Sequence, residues 1–365
     1  MMAEEQKAIS KPIETPKKKK KEGIIMKKAL WVSLCMAIGI FTANTAVAAD
    51  SIKLRVADAF PPGHYVSEKI TRPWIADILK RTGNKLSIEY YPAEQLGKAR
   101  DLLSLTASGV VDIAYVVPSY ATDKLPLSGV VGMPINLGTS CNATKVFQKL
   151  ATDDNFLAKH EYGPNKVRVL WSLVYPPYQI MISSRVKFDG LKSLQGLKIR
   201  TTGGIQERIL RALGAMPVQI SSPELYEAVS RGTVDGALFP YGSVYSYGFD
   251  GLFKYGTVNE NFGSVVITYS MNEDKWNSLP TDIQKALLDA SQETVTNGCR
   301  VADEEGTNTI NKLKESGWEI REFSAADKKE LSNKTRGIVN EWAEALDKRG
   351  KPGTDVLKVF ENALK

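Results

Sequence analysis

The chain has 365 residues, 43% hydrophobic and 24% charged, with a formal net charge of +7; at about 150 residues per domain it is long enough for about two domains and a sizeable core. Nine of its lysines and four of its glutamates fall in residues 1–49, so the body keeps 39 of the 48 basic and 37 of the 41 acidic side chains. A near-neutral body excludes nucleic acid as a partner, because that affinity rests on basic clusters meeting phosphates.

Residues 1–25 have the composition of a disordered extension, and Lys17 to Lys21 reads as a solvated charge run or, less simply, an interaction tail. Translation is expected to begin at Met26, with residues 1–25 arising from an upstream start. Residues 26–49 read as a secretory signal peptide: a basic start at Lys27-Lys28, an apolar stretch from Ala29 to Phe41, and an A-x-A site at Ala46-Val47-Ala48. That stretch is short of the roughly 20 residues that span a bilayer. The chain is therefore expected in the periplasm after cleavage, with an uncleaved anchor as the alternative. Cys35 lies too early for a lipoprotein signal. Cys141 and Cys299 remain in the body; in an oxidising compartment they form either one disulfide or two buried thiols.

The body opens with a strand from Ile52 to Ala57 and a loop at Phe60-Pro61-Pro62-Gly63. Ile70, Trp74, Ile75, Ile78 and Leu79 recur at helical spacing, and Gly83 ends the helix. Lys85–Tyr91 alternates as a strand, Leu96–Ser108 reads as a helix, and Val110–Val117 as a second, more apolar strand. Strand, helix, strand at this spacing implies parallel pairing through a crossover. The unit returns later. Met216–Ile220 is a strand, Ser222 is placed to cap a helix with Pro223 at its first position, and Thr233–Phe239 is the next strand. Gly109-Val110-Val111-Asp112-Ile113-Ala114 echoes Gly232-Thr233-Val234-Asp235-Gly236-Ala237, either by chance or because two similar units repeat.

Between the units, Val167–Tyr175 and Gln179–Ser184, separated by Pro176-Pro177, read as strands that pass from one domain to the other. Phe262–Asn272 reads as a second crossing. Thr281–Lys314 is helical, with Gly298 and Gly306 as possible breaks. A 30-residue helix would be about 45 Å long, enough to bridge both domains. Trp318–Phe323 is a further strand, and the remainder reads as two amphipathic helices. The fold class is α/β: two domains, each on a mostly parallel sheet, joined by crossover strands and a long bridging helix.

Chemistry is scarce. With only His64, His160 and two cysteines in the body, no metal site is expected. G-x-S-x-G, P-loop and G-x-G-x-x-G motifs are lacking, and no cofactor is expected. Two α/β domains form a cleft at the carboxyl ends of their strands, so residues just after strands are the candidates. Arg200 ends the strand Leu197-Lys198-Ile199 and precedes Thr201-Thr202-Gly203-Gly204; it either grips a carboxylate with paired charge-assisted bonds or sits at the surface. Phe60, Tyr120, Phe239 and Tyr241 follow strands, and Trp171 and Tyr175 lie in the crossing run. Each is either core or part of an apolar-walled cleft.

Gly190-Leu191-Lys192-Ser193-Leu194-Gln195-Gly196-Leu197-Lys198-Ile199-Arg200 resembles a signature of the TRAP transporter periplasmic solute-binding proteins. The likeness continues through Pro92-Ala93-Glu94-Gln95-Leu96-Gly97, Leu213-Gly214-Ala215-Met216-Pro217-Val218, Glu224-Leu225-Tyr226-Glu227-Ala228 and Met271-Asn272 to Leu279-Pro280, covering essentially residues 50–350 in order. It implies a two-domain periplasmic binding protein of the type II kind, divided as residues 50–177 with 266–305 and residues 178–265 with 306–365. It implies a monomer that binds a small organic acid, pairs it with Arg200, and delivers it to a TRAP permease of small and large membrane subunits. Many members carry an Asn where this chain has Phe239, and sialic-acid binders carry a second arginine where this chain has Ile180. Both departures remove polar contacts. They favour a monocarboxylate or sulfonate, small or with an apolar or aromatic tail, with Gln179, Thr202 and Tyr241 as nearby polar groups. No enzymatic role is expected; the rival readings are a periplasmic ligand sensor docking on a receptor, or a periplasmic enzyme on this fold.

Overall fold

The computed structural model of the chain describes residues 51–365; the expected extension of residues 1–25 and the signal peptide of residues 26–49 lie outside them. Eleven strands form two sheets. The first lobe holds β1 (Ile52–Ala57), β2 (Leu86–Tyr91), β3 (Ile113–Val116), β4 (Val167–Val174) and β10 (Val266–Asn272) in the order β2-β1-β3-β10-β4. The second holds β5 (Gln179–Ser183), β6 (Lys198–Thr201), β7 (Met216–Gln219), β8 (Gly236–Phe239), β9 (Phe253–Thr257) and β11 (Glu319–Arg321) in the order β11-β9-β5-β8-β6-β7.

Each sheet is parallel apart from one reversed strand, β10 in the first and β5 in the second. Those two are the crossing strands: β4 runs in the first sheet and β5 in the second, while β9 returns through residues 258–265 to β10. Read from one edge, β2-β1-β3-β10 and β7-β6-β8-β5 are the same arrangement. The crossing segment is tightly built. Gly263 sits at φ +80°, where a Cβ would lie 2.1 Å from the Gly132 carbonyl oxygen, so only glycine fits there.

The echoed Gly-x-Val-Asp motif has a physical cause. Asp112 donates its N–H to the Arg55 carbonyl and accepts the Arg55 N–H on its carboxylate at 2.7 Å. Asp235 makes the same pair with Lys198, accepting that N–H at 2.8 Å. In both lobes the aspartate clips the start of one strand to its parallel neighbour and sets the register, Val56 beside Ile113 and Ile199 beside Gly236. The preceding Gly109 and Gly232 share a left-handed φ, +76° and +73°.

The helices refine the sequence reading. The first is π-helical over Ser67–Thr71 and becomes α1 (Arg72–Thr82). The helix expected over 96–108 shortens to α2 (Leu102–Ala107). Ala93 and Glu94 take positive φ, and the Glu94 carboxylate accepts the Ala99 N–H at 2.8 Å, so turns replace the first part. α3 (Ser140–Ala151), N-capped by the Thr139 hydroxyl at 3.0 Å, and β9 have no counterpart in the sequence reading. After α4 (Ile205–Ala212), the expected cap at Ser222 is corrected. Helix α5 spans Leu225–Ser230, and it is Ser221 that pairs with Glu224 ahead of it. Ser222 is engaged elsewhere. A short α6 (Glu273–Asn277) precedes α7. The C-terminal region has three helices rather than two: α8 (Ala325–Thr335), α9 (Ile338–Asp347) and α10 (Gly353–Leu364).

The long helix is continuous. α7 runs over Thr281–Glu315, 35 residues, or about 52 Å. It packs on α1, α3 and β4 of the first lobe and on the turn at Tyr241–Ser243 and β11 of the second. Gly298 does not break it. A Cβ there would stand 3.3 Å from the Ile70 side chain, so the glycine admits close approach of the π-helical turn. A disulfide joins Cys141 of α3 to Cys299 of α7, selecting the bridge over the two-thiol alternative. Among the described residues no helix is long and apolar enough to cross a membrane.

Candidate ligand-binding site

The carboxyl ends of β1 and β3 in one lobe meet those of β6 and β8 in the other. Arg200 leaves the end of β6 and is fully buried. Its Nε donates to the Ile220 carbonyl at 2.8 Å and its Nη1 to the Leu238 carbonyl at 3.1 Å. Its Nη2 donates to Ser222 Oγ at 3.0 Å and, more weakly, to Tyr120 Oη of the opposite lobe at 3.4 Å. The guanidinium stands 5.5 Å from the Phe239 ring centroid. All these partners are neutral, and among the described residues no carboxylate forms an ion pair with it. A cation held out of water without a counter-charge is costly. Its fork geometry matches a carboxylate.

The walls around this cation are aromatic. Phe60, Tyr115, Tyr120, Tyr175, Tyr178, Phe239 and Tyr247 surround a space of about 10 Å³, with Thr202, Ser222 and Ser243 as polar members. That is close to the room one water needs, so the lobes touch directly here. Tyr120 Oη accepts the Ser222 N–H at 2.9 Å across the gap. Phe60 packs edge-on to Tyr115 at 4.7 Å, and Phe239 to Tyr247 at 5.6 Å. Behind Phe60, the buried Asp58 carboxylate accepts the Phe60 N–H at 3.1 Å, Tyr90 Oη at 2.5 Å and Tyr269 Oη at 2.8 Å. Burial raises its pKa against the pull of these donors.

Five of the sequence candidates, Phe60, Tyr120, Tyr175, Thr202 and Phe239, line this space, and Arg200 is bonded to its wall. Three lie apart from it. Trp171 is core: its position on β4 faces α1, and it stacks on Tyr269 at 4.2 Å and against Trp74. Gln179 turns towards the second crossing segment, with its Nε2 donating to the Glu260 carbonyl at 2.7 Å and its Oε1 accepting Thr257 Oγ1 at 2.9 Å. Tyr241 donates to the Thr257 carbonyl at 2.7 Å. These two border a separate groove along α7. Tyr115, Tyr178, Ser222, Ser243 and Tyr247 were not singled out from sequence. Tyr115 and Tyr178 carried a signal, one on the echoed strand and one directly after Pro176-Pro177.

His64 is a second interlobe contact. Its ring lies between Phe60 and Tyr65. Nδ1 accepts the Val66 N–H at 3.2 Å, which leaves Nε2 to donate to Ser243 Oγ of the other lobe at 2.9 Å. Burial pushes this imidazole down to about 3. An unfolded chain takes up the proton below about 6.5 while the folded chain does not. Stability contributed by the neutral ring is therefore complete above pH 6.5 and lost as pH falls towards 3, by about 2 kcal/mol at pH 5. Glu161, pushed up to about 7 by burial, acts with the opposite sign over part of this range. The measurement is therefore the denaturation free energy of wild type against His64→Gln between pH 7 and 5. The variant should lose about 2 kcal/mol less, and parallel profiles would reject the role.

Among the described residues no group of His, Cys, Asp and Glu is placed to hold a metal ion.

Residues 56–345 match the model of bacterial extracellular solute-binding protein family 7. The chain is 25% identical over 331 residues to the outer membrane transporter protein TsaT of Comamonas testosteroni, covering 90% of this chain and 96% of that protein. A TRAP solute-binding protein of Rhodoferax ferrireducens, solved with copurified benzoate, superposes with a TM-score of 0.79 at 22% identity, over 86% of this chain and 98% of its own. A TRAP periplasmic solute-binding protein of Bordetella bronchiseptica, solved with bound mandelate, gives a TM-score of 0.76 at 23% identity, over 86% and 98%. The repeated lobes, the reversed crossing strands, the bridging helix and the matched span agree with the motif resemblance, and the chain belongs to bacterial extracellular solute-binding protein family 7, the family of the TRAP solute-binding proteins.

Proposed function

We propose that the protein is the periplasmic solute receptor of a TRAP transporter, taking a small monocarboxylate or sulfonate with an apolar or aromatic body. The observation that carries this is Arg200, a fully buried cation whose partners are all neutral. The acid group docks on the guanidinium beside Ser222 and Tyr120, and the aromatic walls hold the body of the solute. Phe239 makes the wall apolar and disfavours sugar acids and C4-dicarboxylates. The benzoate and mandelate of the two structural relatives are acids of the favoured kind.

The 10 Å³ left between the lobes is too small for such a solute, so entry needs the lobes to part along the two crossing segments and α7. Closure then dries the site and strengthens the ion pair. The solute shifts the open–closed balance by its differential affinity for the closed form. The two bodies that move are expected to divide near residues 177 and 265, and the closed monomer is presented to the small and large permease subunits. A thermal-shift screen of organic acids and sulfonates tests the class: aryl and small alkyl acids should raise the melting temperature, since they bind only the folded form. A response to sugar acids or dicarboxylates alone would overturn it.

A further inference from the structure

Gln179, expected from sequence to touch the solute, stands instead where both crossing segments leave the second lobe. Its side-chain Nε2 donates to the Glu260 carbonyl at 2.7 Å and to the Pro177 carbonyl at 3.2 Å. Its Oε1 accepts Thr257 Oγ1 at 2.9 Å and, more weakly, the Glu260 N–H at 3.4 Å. A carbonyl only accepts, so the short bond to Glu260 fixes which end of the amide is the NH₂. Thr257 Oγ1 in turn accepts the Ile180 N–H at 3.0 Å. One buried amide thus pairs with the Glu260 backbone in both directions, as a neighbouring strand would, and holds the first crossing at Pro177 as well.

The contacts on either side of this amide locate the joint between the lobes. Residues 258–260 are held by the second lobe. The Val258 N–H donates to the Arg321 carbonyl at 3.1 Å, Asn259 Nδ2 to the Glu322 carboxylate at 2.6 Å, and the Glu260 carboxylate accepts the Phe323 N–H at 2.7 Å. From Asn261 the partners belong to the first lobe. Asn261 Nδ2 donates to the Ile135 carbonyl at 2.9 Å and the Ser264 N–H to the Val131 carbonyl at 3.2 Å. The change of partner in the second crossing therefore falls between Glu260 and Asn261, earlier than residue 265. Gln179 bonds to the last residue on the second-lobe side of that point and to Pro177 in the other crossing.

We propose that Gln179 is the clasp of the hinge, a positioning residue that makes the two crossings bend as one joint and so sets how readily the lobes close on the solute. This rests on the solute-receptor reading and deepens it. Gln179 does not line the space beside Arg200, so it acts on closure and not on the solute. With the lobes together, Gln179 and Glu260 are both buried. Truncating the amide there strands the Glu260 N–H and carbonyl, whereas bending at the joint brings them to water. The loss falls on the closed form.

The test combines small-angle X-ray scattering of the secreted chain, with and without benzoate, and titration calorimetry with benzoate and benzenesulfonate. The proteins are wild type, Gln179→Met and the isosteric Gln179→Glu, which keeps the bulk but turns two donor bonds into contacts between oxygens. Without solute both variants should have a larger radius of gyration than wild type. Both acids should bind them about tenfold more weakly, the usual effect of stranding buried donors and acceptors. Saturating benzoate should bring all three proteins to one radius, which a merely structural defect would not allow. Wild-type affinity and dimensions in Gln179→Glu would overturn the inference. So would weaker binding with unchanged dimensions, which would make Gln179 a solute contact. Failure of both acids to bind wild type would overturn the Arg200 reading, while the unliganded scattering would still decide the clasp.

Discussion

Arg200→Ala is expected to weaken organic-acid binding by about 2–5 kcal/mol, the usual cost of truncating one partner of a buried charge pair. The guanidinium is wholly buried, and its four partners are two carbonyls and two hydroxyls. A carboxylate or sulfonate arriving there would supply the only formal counter-charge, in a setting where closure has removed most of the screening. Arg200→Lys should recover part of the affinity, because it keeps the charge but loses the planar fork. Without solute the order should invert. Replacing an uncompensated buried cation with Met of similar length should leave the unliganded fold equally or more stable. Calorimetry and denaturation on the same variants separate the two effects. Near-normal binding by Arg200→Ala would remove the anchor, and collapse of the unliganded Met variant would make the arginine a structural group instead.

Removing the disulfide should be the largest single loss of stability. Cys141 and Cys299 are 158 residues apart, and a cross-link closing a loop of that length contributes about 5 kcal/mol by restricting the unfolded chain. The bridge ties α3 to α7, and neither cysteine lines the space beside Arg200. Cys141→Ala/Cys299→Ala is therefore expected to lower the unfolding free energy by about 5 kcal/mol with solute affinity nearly unchanged, and reductant should destabilise the wild type but not the double variant. Equal stability of the two proteins, or a large loss of affinity, would contradict this account.

Much of the fold was legible because it is written in local patterns. The crossing strands showed as β-rich runs interrupted by Pro176-Pro177, and the long helix as a helical segment over Thr281–Lys314. The repeat showed in Gly109–Asp112 and Gly232–Asp235, since one backbone clip needs one aspartate at one place in each lobe. What was missed has physical causes. The helix expected from Leu96 is cut short by left-handed residues at Ala93 and Glu94 and by a carboxylate reaching back to the Ala99 N–H. The cap expected at Ser222 failed because that hydroxyl is drawn to Arg200, leaving Ser221 to pair with Glu224.

By itself the sequence determined the class of the protein, its two repeated lobes, its crossings and the arginine at the end of β6, because strand period, turn chemistry and short motifs are properties of neighbouring residues. Only the tertiary structure decided which aromatic side chains face one another. Trp171 and Tyr175 lie four residues apart on one run, yet one is core beneath the sheet and the other lines the interlobe space. Likewise nothing local marks Ser243 or Tyr247 as lining that space. Their places follow from how two lobes and a long helix pack, and packing brings together residues that are remote in the chain.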